Sequence, residues 1–286
     1  MDRVLLTGLT CDAFQAETDR KALEALRRLP LVPAAVQKFY EIGADRWLYC
    51  WNMAVSVRVG PDQYPTLYRI LQECCEVLDV PEPELYLTNH PFANAFAGGV
   101  ERPYITLRSS IVDTLNDDEL YHLIGHELGH IKCGHILYFS VARVLMPLLE
   151  MLGRRTLGLG DAAQIAAMAA FMEWSRNAEL SADRAGLLCA QNFATSLSAN
   201  LHLCGGPHRL QDEGNPAAFL EQAQTYQDMN AMDSFGKLMI AFFYSTWSTH
   251  PMPVHRTQAL ERWHAAGEMD RILEWGRQRN AAPVVN

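Results

Sequence analysis

His126, Glu127 and His130 stand in the order H-E-x-x-H. Four residues apart on a helix, two imidazoles differ by about 40° around the axis, so both lean to one side and one cation can reach both. Glu127 lies about 100° further round than His126, close enough to touch a water on that cation and too far round to be a third ligand. The pattern asks for zinc with a general base beside it. A catalytic zinc needs three protein ligands and an open position. No further His or Glu follows in the H-x-x-G-x-x-H pattern of the three-histidine class, so the third ligand must come from elsewhere. Glu179 can supply it. Asp183 lies four residues on, so on a helix the two carboxylates share a face: Glu179 can bind metal while Asp183 accepts the outer N–H of a ligand histidine and fixes its tautomer. By itself such a pair is usual on a solvated helix face, and only the company of His126 and His130 raises Glu179 to a ligand.

The element that must present the histidines is a helix beginning at Asn116, an N-cap with Glu119 at the capping-box position, and ending at Gly134. Leu120, Leu123, Ile124 and Leu128 give it an apolar face. His122, one turn before His126, reads as a packing residue or a support behind the ligands. Just ahead of this helix, Leu85–Leu87, Asn94–Ala97 and Tyr104–Leu107 read as short strands separated by Pro91, Gly98 and Gly99. Asn94, Ala95, Phe96 and Ala97 form the candidate edge, where an extended peptide could pair main chain to main chain and hold its scissile bond over the metal. The alternative, that these strands only cover the helix, is equally open.

Helical composition marks Ala13–Arg28, closed by Pro30 and Pro33, then Pro61–Val80, the stretch from the Gly-rich turn at 153–160 to about Asn200, two helices within Ala217–Phe243, and Arg256–Arg277. Asp45–Val59 is ambiguous: Ala54–Val59 alternates like a strand, while Trp47–Met53 suits either type. The expected class is α+β, mainly helical, with a small sheet beside the metal helix.

With 286 residues, 49% of them hydrophobic, the chain can bury a large core. A net charge of −9 with scattered Lys and Arg speaks against nucleic acid as a partner. The seven cysteines lack C-x-x-C spacing, so reduced thiols in a cytoplasm are expected. The opening residues lack the apolar core of a signal peptide. The segment Ile136–Leu152 carries Arg143, Pro147 and Glu150, and a span needs about 20 predominantly apolar residues. It is expected to be a buried helix, with surface attachment to a membrane as the minor alternative.

The whole combination resembles the HtpX-type zinc metallopeptidases, the family that also holds the CAAX prenyl proteases. The likeness is carried by Asn94-Ala-Phe-Ala-Gly-Gly99, Asp117-Asp-Glu-Leu120, Gly125-His-Glu-Leu-Gly-His130 with His135, Glu179-Leu-Ser-Ala-Asp183-Arg184, and Thr249-His-Pro251 followed by Arg256. It implies a gluzincin fold, one bound zinc per chain and endopeptidase activity on polypeptides. It also implies that His250 and Arg256 lie near the active site, where His250 could stabilise an oxyanion or occupy the metal's open position at rest. Many relatives carry transmembrane helices, and none is expected here. The division expected is an N-terminal segment 1–60 packed on a metallopeptidase domain 61–280, with a loose tail 281–286. The first sixty residues match no part of the resemblance. The competing reading is a zinc-stabilised interaction protein whose site is closed by a fourth ligand such as His250.

Overall fold

The computed structural model describes residues 3–29, 31–142, 161–206, 208–229, 236 and 253–281. Its centre is a pair of helices, α6 (Asp117–Lys132) and α8 (Asp161–Ala190), packed against each other along much of their length. α6 starts as its sequence dictates. The Asn116 side chain accepts from the Glu119 N–H at 3.0 Å while the Asn116 N–H donates to Glu119 at 3.1 Å, closing the capping box. It stops at Cys133, and Gly134 takes a left-handed φ of +70° that its missing Cβ permits. Residues 119 to 130 are all buried, so beyond its exposed first residues α6 is buried all round.

That burial comes from neighbours on every side: α4 (Pro65–Leu78), α9 (Phe193–Gly205), α8 and the sheet. Glycine makes the α6–α8 approach possible. A Cβ on Gly125 would stand 2.5 Å from the Cβ of Cys189, one on Gly129 would stand 2.6 Å from the Cβ of Ala185, and one on Gly186 would stand 2.6 Å from the His122 carbonyl oxygen.

The expected sheet is present and gains a fourth strand. β1 (Val57–Arg58), β2 (Glu84–Thr88), β3 (Ala95–Gly98) and β4 (Tyr104–Arg108) lie in the order β1-β2-β4-β3. β2 and β4 run parallel, with Glu84 opposite Tyr104, and β1 and β3 pair antiparallel on their flanks. Among the described strands β1 and β3 are therefore the outer ones, and β3 packs on α6.

The N-terminal segment folds over this frame. α1 (Glu17–Arg27) places Leu23 and Leu26 against Trp174 and Ala178 of α8 and against Tyr138 of α7, described over 135–142. α2 (Leu31–Glu41) and α3 (Ala44–Val55) set Phe39, Ala44 and Leu48 over Tyr86 and Tyr104 of the sheet. α1 ends at Arg27, while Pro33 sits in the first turn of α2, where no intrahelical donor is lost. The alternating run 54–59 is helical through Val55 and leaves a strand of only two residues, because packing on the sheet holds α3 together.

The long C-terminal helix is two, α11 (Pro253–Ala265) and α12 (Glu268–Ala281), broken at Gly267 with φ +74°. α10 (Pro216–Asp228) accounts for the first of the two helices expected within 217–243, and most of the second lies outside the described residues. So do 143–152 of the apolar segment and 282–286 of the tail. In the described part of that segment, Ile136, Tyr138, Ser140 and Val141 are buried. No helix among the described residues is long and apolar enough to cross a membrane.

One expectation is overturned. Cys11 and Cys133 are joined in a disulfide at a sequence separation of 122. No local spacing signals a pair so far apart, and only the docking of the N-terminal turn at Cys11–Ala13 against the end of α6 brings the two sulfurs together. The remaining cysteines described, 50, 74, 75, 189 and 204, are free thiols.

The glycine contacts yield a prediction. Gly129→Ala puts a methyl group inside the α6–α8 contact and is expected to cost about 1–3 kcal/mol, whereas Gly205→Ala, with open space around it, is expected to change stability by less than about 0.5 kcal/mol. Chemical denaturation of both variants measures the difference.

Candidate metal centre

α6 turns His126 and His130 to one side, one helical turn apart, and α8 brings Glu179 to meet them. The Nε2 atoms of the two histidines stand 3.2 Å apart. Glu179 Oε2 lies 3.5 Å from His126 Nε2 and Glu179 Oε1 lies 3.3 Å from His130 Nε2. All three side chains are buried. A tetrahedral ion with ligand bonds of about 2.0 Å needs donor atoms about 3.3 Å apart. The three donors, mutually within 4.8 Å, therefore fit a metal ion, and a nitrogen-nitrogen-oxygen set is one that such ions take.

Behind these three donors stands a charged layer. Asp183, one turn beyond Glu179, places Oδ1 2.9 Å from His126 Nδ1, and Arg256 of α11 grips the same carboxylate twice, Nε to Oδ2 at 2.8 Å and Nη2 to Oδ1 at 2.5 Å. Arg256 Nη1 also lies 3.2 Å from Glu179 Oε2. The aspartate can only accept, so a His126 proton sits on Nδ1, and Nε2 is the ring atom turned toward Glu179 and His130.

The electrostatics follow from this layout. Burial alone would raise Asp183, but the Arg256 guanidinium and then His126 hold its carboxyl far below the usual range. Arg256 is correspondingly raised: burial works against its charge, and Asp183 and Glu179 outweigh it. Burial would lower His126, yet Asp183 and Glu179 lift it to about 9. His130 shares Glu179 but has no aspartate in direct contact, and burial takes it down to about 3, helped by the charge on His126. His122 is pushed to about 4, chiefly by burial. It lies 4.0 Å from Asp183 and packs on Gly186, so it supports the layer behind these donors.

Glu127 is fully buried and lines a small cavity of about 110 Å³ with Asn94, His122, His126 and Arg256. Ala95 and Ala97 of β3 are buried, while Phe96 is half-buried. Asn94 precedes the strand, its carbonyl accepting from the Arg108 N–H at 3.0 Å. His250 lies outside the described residues.

One residue near this centre has no place in the sequence reading: Asp19, which α1 buries beneath the site. For Asp19 a signal exists. It falls in register with Ala22, Leu23 and Leu26 on the apolar stripe of α1, where a carboxylate needs a partner.

Comparison with known proteins gives these residues a context. Residues 61–264 match peptidase family M48. The Arabidopsis thaliana protein named plastoglobule-localized metallopeptidase 48, chloroplastic, is 28% identical over 285 residues, covering 99% of this chain and 81% of that protein. A protease HtpX homolog of Pelotomaculum thermopropionicum is 27% identical over 192 residues, 58% of this chain and 68% of its own. A protease HtpX homolog 2 of Methanosarcina acetivorans is 22% identical over 249 residues, 79% of this chain and 80% of its own. No solved structure matches the chain. The first sixty residues, outside the family match, thus have a counterpart in the Arabidopsis protein. The family match runs over more than half of the sequence and through every residue of the His126, His130 and Glu179 cluster, so the chain belongs to peptidase family M48, a metallopeptidase family.

Proposed function

We propose that the chain is a zinc-dependent endopeptidase that hydrolyses peptide bonds of extended or unfolded polypeptides, with one zinc held by His126, His130 and Glu179. The observation that carries the proposal is the convergence of those three donors beside a fully buried glutamate, Glu127. Bound there, zinc would supply Lewis acidity toward the scissile carbonyl and make water a stronger acid. Glu127 takes the proton of the attacking water on a carboxylate oxygen and later passes it to the leaving amine. Asp183 holds the Nδ1 proton of His126, and Arg256 keeps Asp183 ionised.

Substrate lies alongside Asn94, Ala95, Phe96 and Ala97, because β3 packs on α6 and so runs next to the histidines. His250 is assigned the part that the resemblance implies, stabilising an oxyanion or covering the metal at rest. The working unit is 61–280, with 1–60 packed onto it. A closed zinc site without turnover would have no use for Glu127, which is why the catalytic reading is preferred over a zinc-stabilised interaction protein. Membrane attachment through 136–152 is disfavoured by the inward packing of its described residues. The Cys11–Cys133 disulfide weighs against the reducing cytoplasm suggested by the cysteine spacing.

Three outcomes are expected. Casein cleavage by the zinc-loaded protein should fall by about 10²- to 10⁴-fold in Glu127→Gln, with zinc content by atomic absorption still one per chain; cleavage at the wild-type rate would remove Glu127 from its role. Glu179→Ala should lose zinc on dialysis, and an unchanged metal content would place the third ligand elsewhere. His126 must shed its proton to bind metal, and its pKa is lifted to about 9. Below that pH the apparent zinc affinity should therefore weaken by up to about tenfold per unit, with close to one proton released per zinc at neutral pH. Calorimetric titration in two buffers of different ionisation enthalpy counts that proton.

A further inference from the structure

His126 is backed by an aspartate directly, and His130 is backed by one at a remove. His130 Nδ1 lies 3.0 Å from His135 Nδ1, and His135 Nε2 lies 3.1 Å from Asp19 Oδ2. His130 is 2% exposed, His135 and Asp19 are at 0%, so no solvent intervenes. His135 is the first residue after the turn that ends α6, and Asp19 comes from α1, in the segment outside the family match.

Asp19 is built into this position. Oδ2 also accepts from Ser181 Oγ at 2.7 Å and Gln15 Nε2 at 3.0 Å, and Oδ1 accepts from Trp174 Nε1 at 3.2 Å. Burial pushes its carboxyl up, but His135, Ser181 and Gln15 outweigh that and leave it below its ordinary range. A carboxylate only accepts, so the His135 proton sits on Nε2. In a neutral imidazole Nδ1 is then the acceptor, which puts the His130 proton on Nδ1 and bares the lone pair of Nε2, the atom that faces Glu179. The proton arrangement is thus set from the carboxylate end.

We propose that Asp19 is a positioning residue of the metal centre, acting through His135 to fix the tautomer and ring orientation of His130, and that the N-terminal segment is thereby part of the site. The inference rests on the reading of His126, His130 and Glu179 as metal ligands. Asp183 does for His126 what Asp19 and His135 together do for His130: each holds a ligand histidine with its proton facing away from the metal.

The test uses the full chain and zinc alone. Asp19→Asn should weaken zinc affinity, measured by chelator competition, by about 10- to 100-fold and should alter the visible spectrum of the cobalt-substituted protein, and Asp19→Glu should recover part of both. A folded Asp19→Asn with wild-type affinity and cobalt spectrum would overturn the proposal. Should Asp19→Asn not fold, ¹⁵N-histidine NMR of the zinc-loaded wild type decides: a proton on Nε2 of His135 and on Nδ1 of His130 is expected, and a proton on Nδ1 of His135 would overturn it. Wild-type protein that binds no zinc would overturn the metal reading together with the relay, whereas zinc-loaded wild type with the opposite His135 tautomer sinks the relay alone.

Discussion

Everything at the metal centre depends on how closely α6 and α8 approach. Imidazole and glutamate side chains are short, so donors on two separate helices can meet at one point only if the backbones come nearer than ordinary side chains allow. Gly125 and Gly129 provide that clearance on α6, and Ala182, Ala185 and Gly186 receive them on α8. The glycines carry an entropic cost in a helix, about 1 kcal/mol each relative to alanine, which the packing of α6 against its neighbours on every side offsets. The same spacing that lets Glu179 reach His126 and His130 also drives Asp183 under His126, since both carboxylates ride on one face of α8.

Close approach brings a second demand. Glu127, Glu179 and Asp183 are buried, and carboxylates removed from water need charge partners and hydrogen bonds. Arg256 answers it for two of them, gripping Asp183 in two-point fashion and reaching Glu179. Breaking such a buried pair leaves an uncompensated charge, which makes Arg256 as much a structural residue as a neighbour of the chemistry. Asp19 solves the same problem differently, by collecting four hydrogen bonds. The centre is thus assembled from α1, α6, α8 and α11, four rigid elements whose packing fixes the geometry before any ligand arrives.

The N-terminal segment gains its importance from this assembly. α1 lies against α8 and α7, its Leu23 and Leu26 filling the space beside Trp174, and the Cys11–Cys133 bond ties the chain just ahead of α1 to the end of α6. Both attachments converge on the turn from which His135 emerges. A segment that lies outside the family match is in this way held against the back of the metal site.

How far the sequence could be read depended on the range of the interaction concerned. The spacing of His126 and His130, the Asn116 and Glu119 cap, the stop at Gly134 and the pairing of Glu179 with Asp183 are set within a few residues by helical geometry, and each was legible from residue types alone. The strands at Leu85, Ala95 and Tyr104 were legible from their Gly and Pro boundaries, but not their order, because register across a sheet is set by partners distant in sequence. The bond between Cys11 and Cys133, the place of Asp19 under His130, the break at Gly267 and the need for glycine at 125 and 129 were decided only by the packed fold. Each depends on a neighbour that chain connectivity does not bring near, or, for Gly267, on how two helices settle against the core. Local rules thus name the candidate ligands, and only the packing of one helix on another determines what stands behind them.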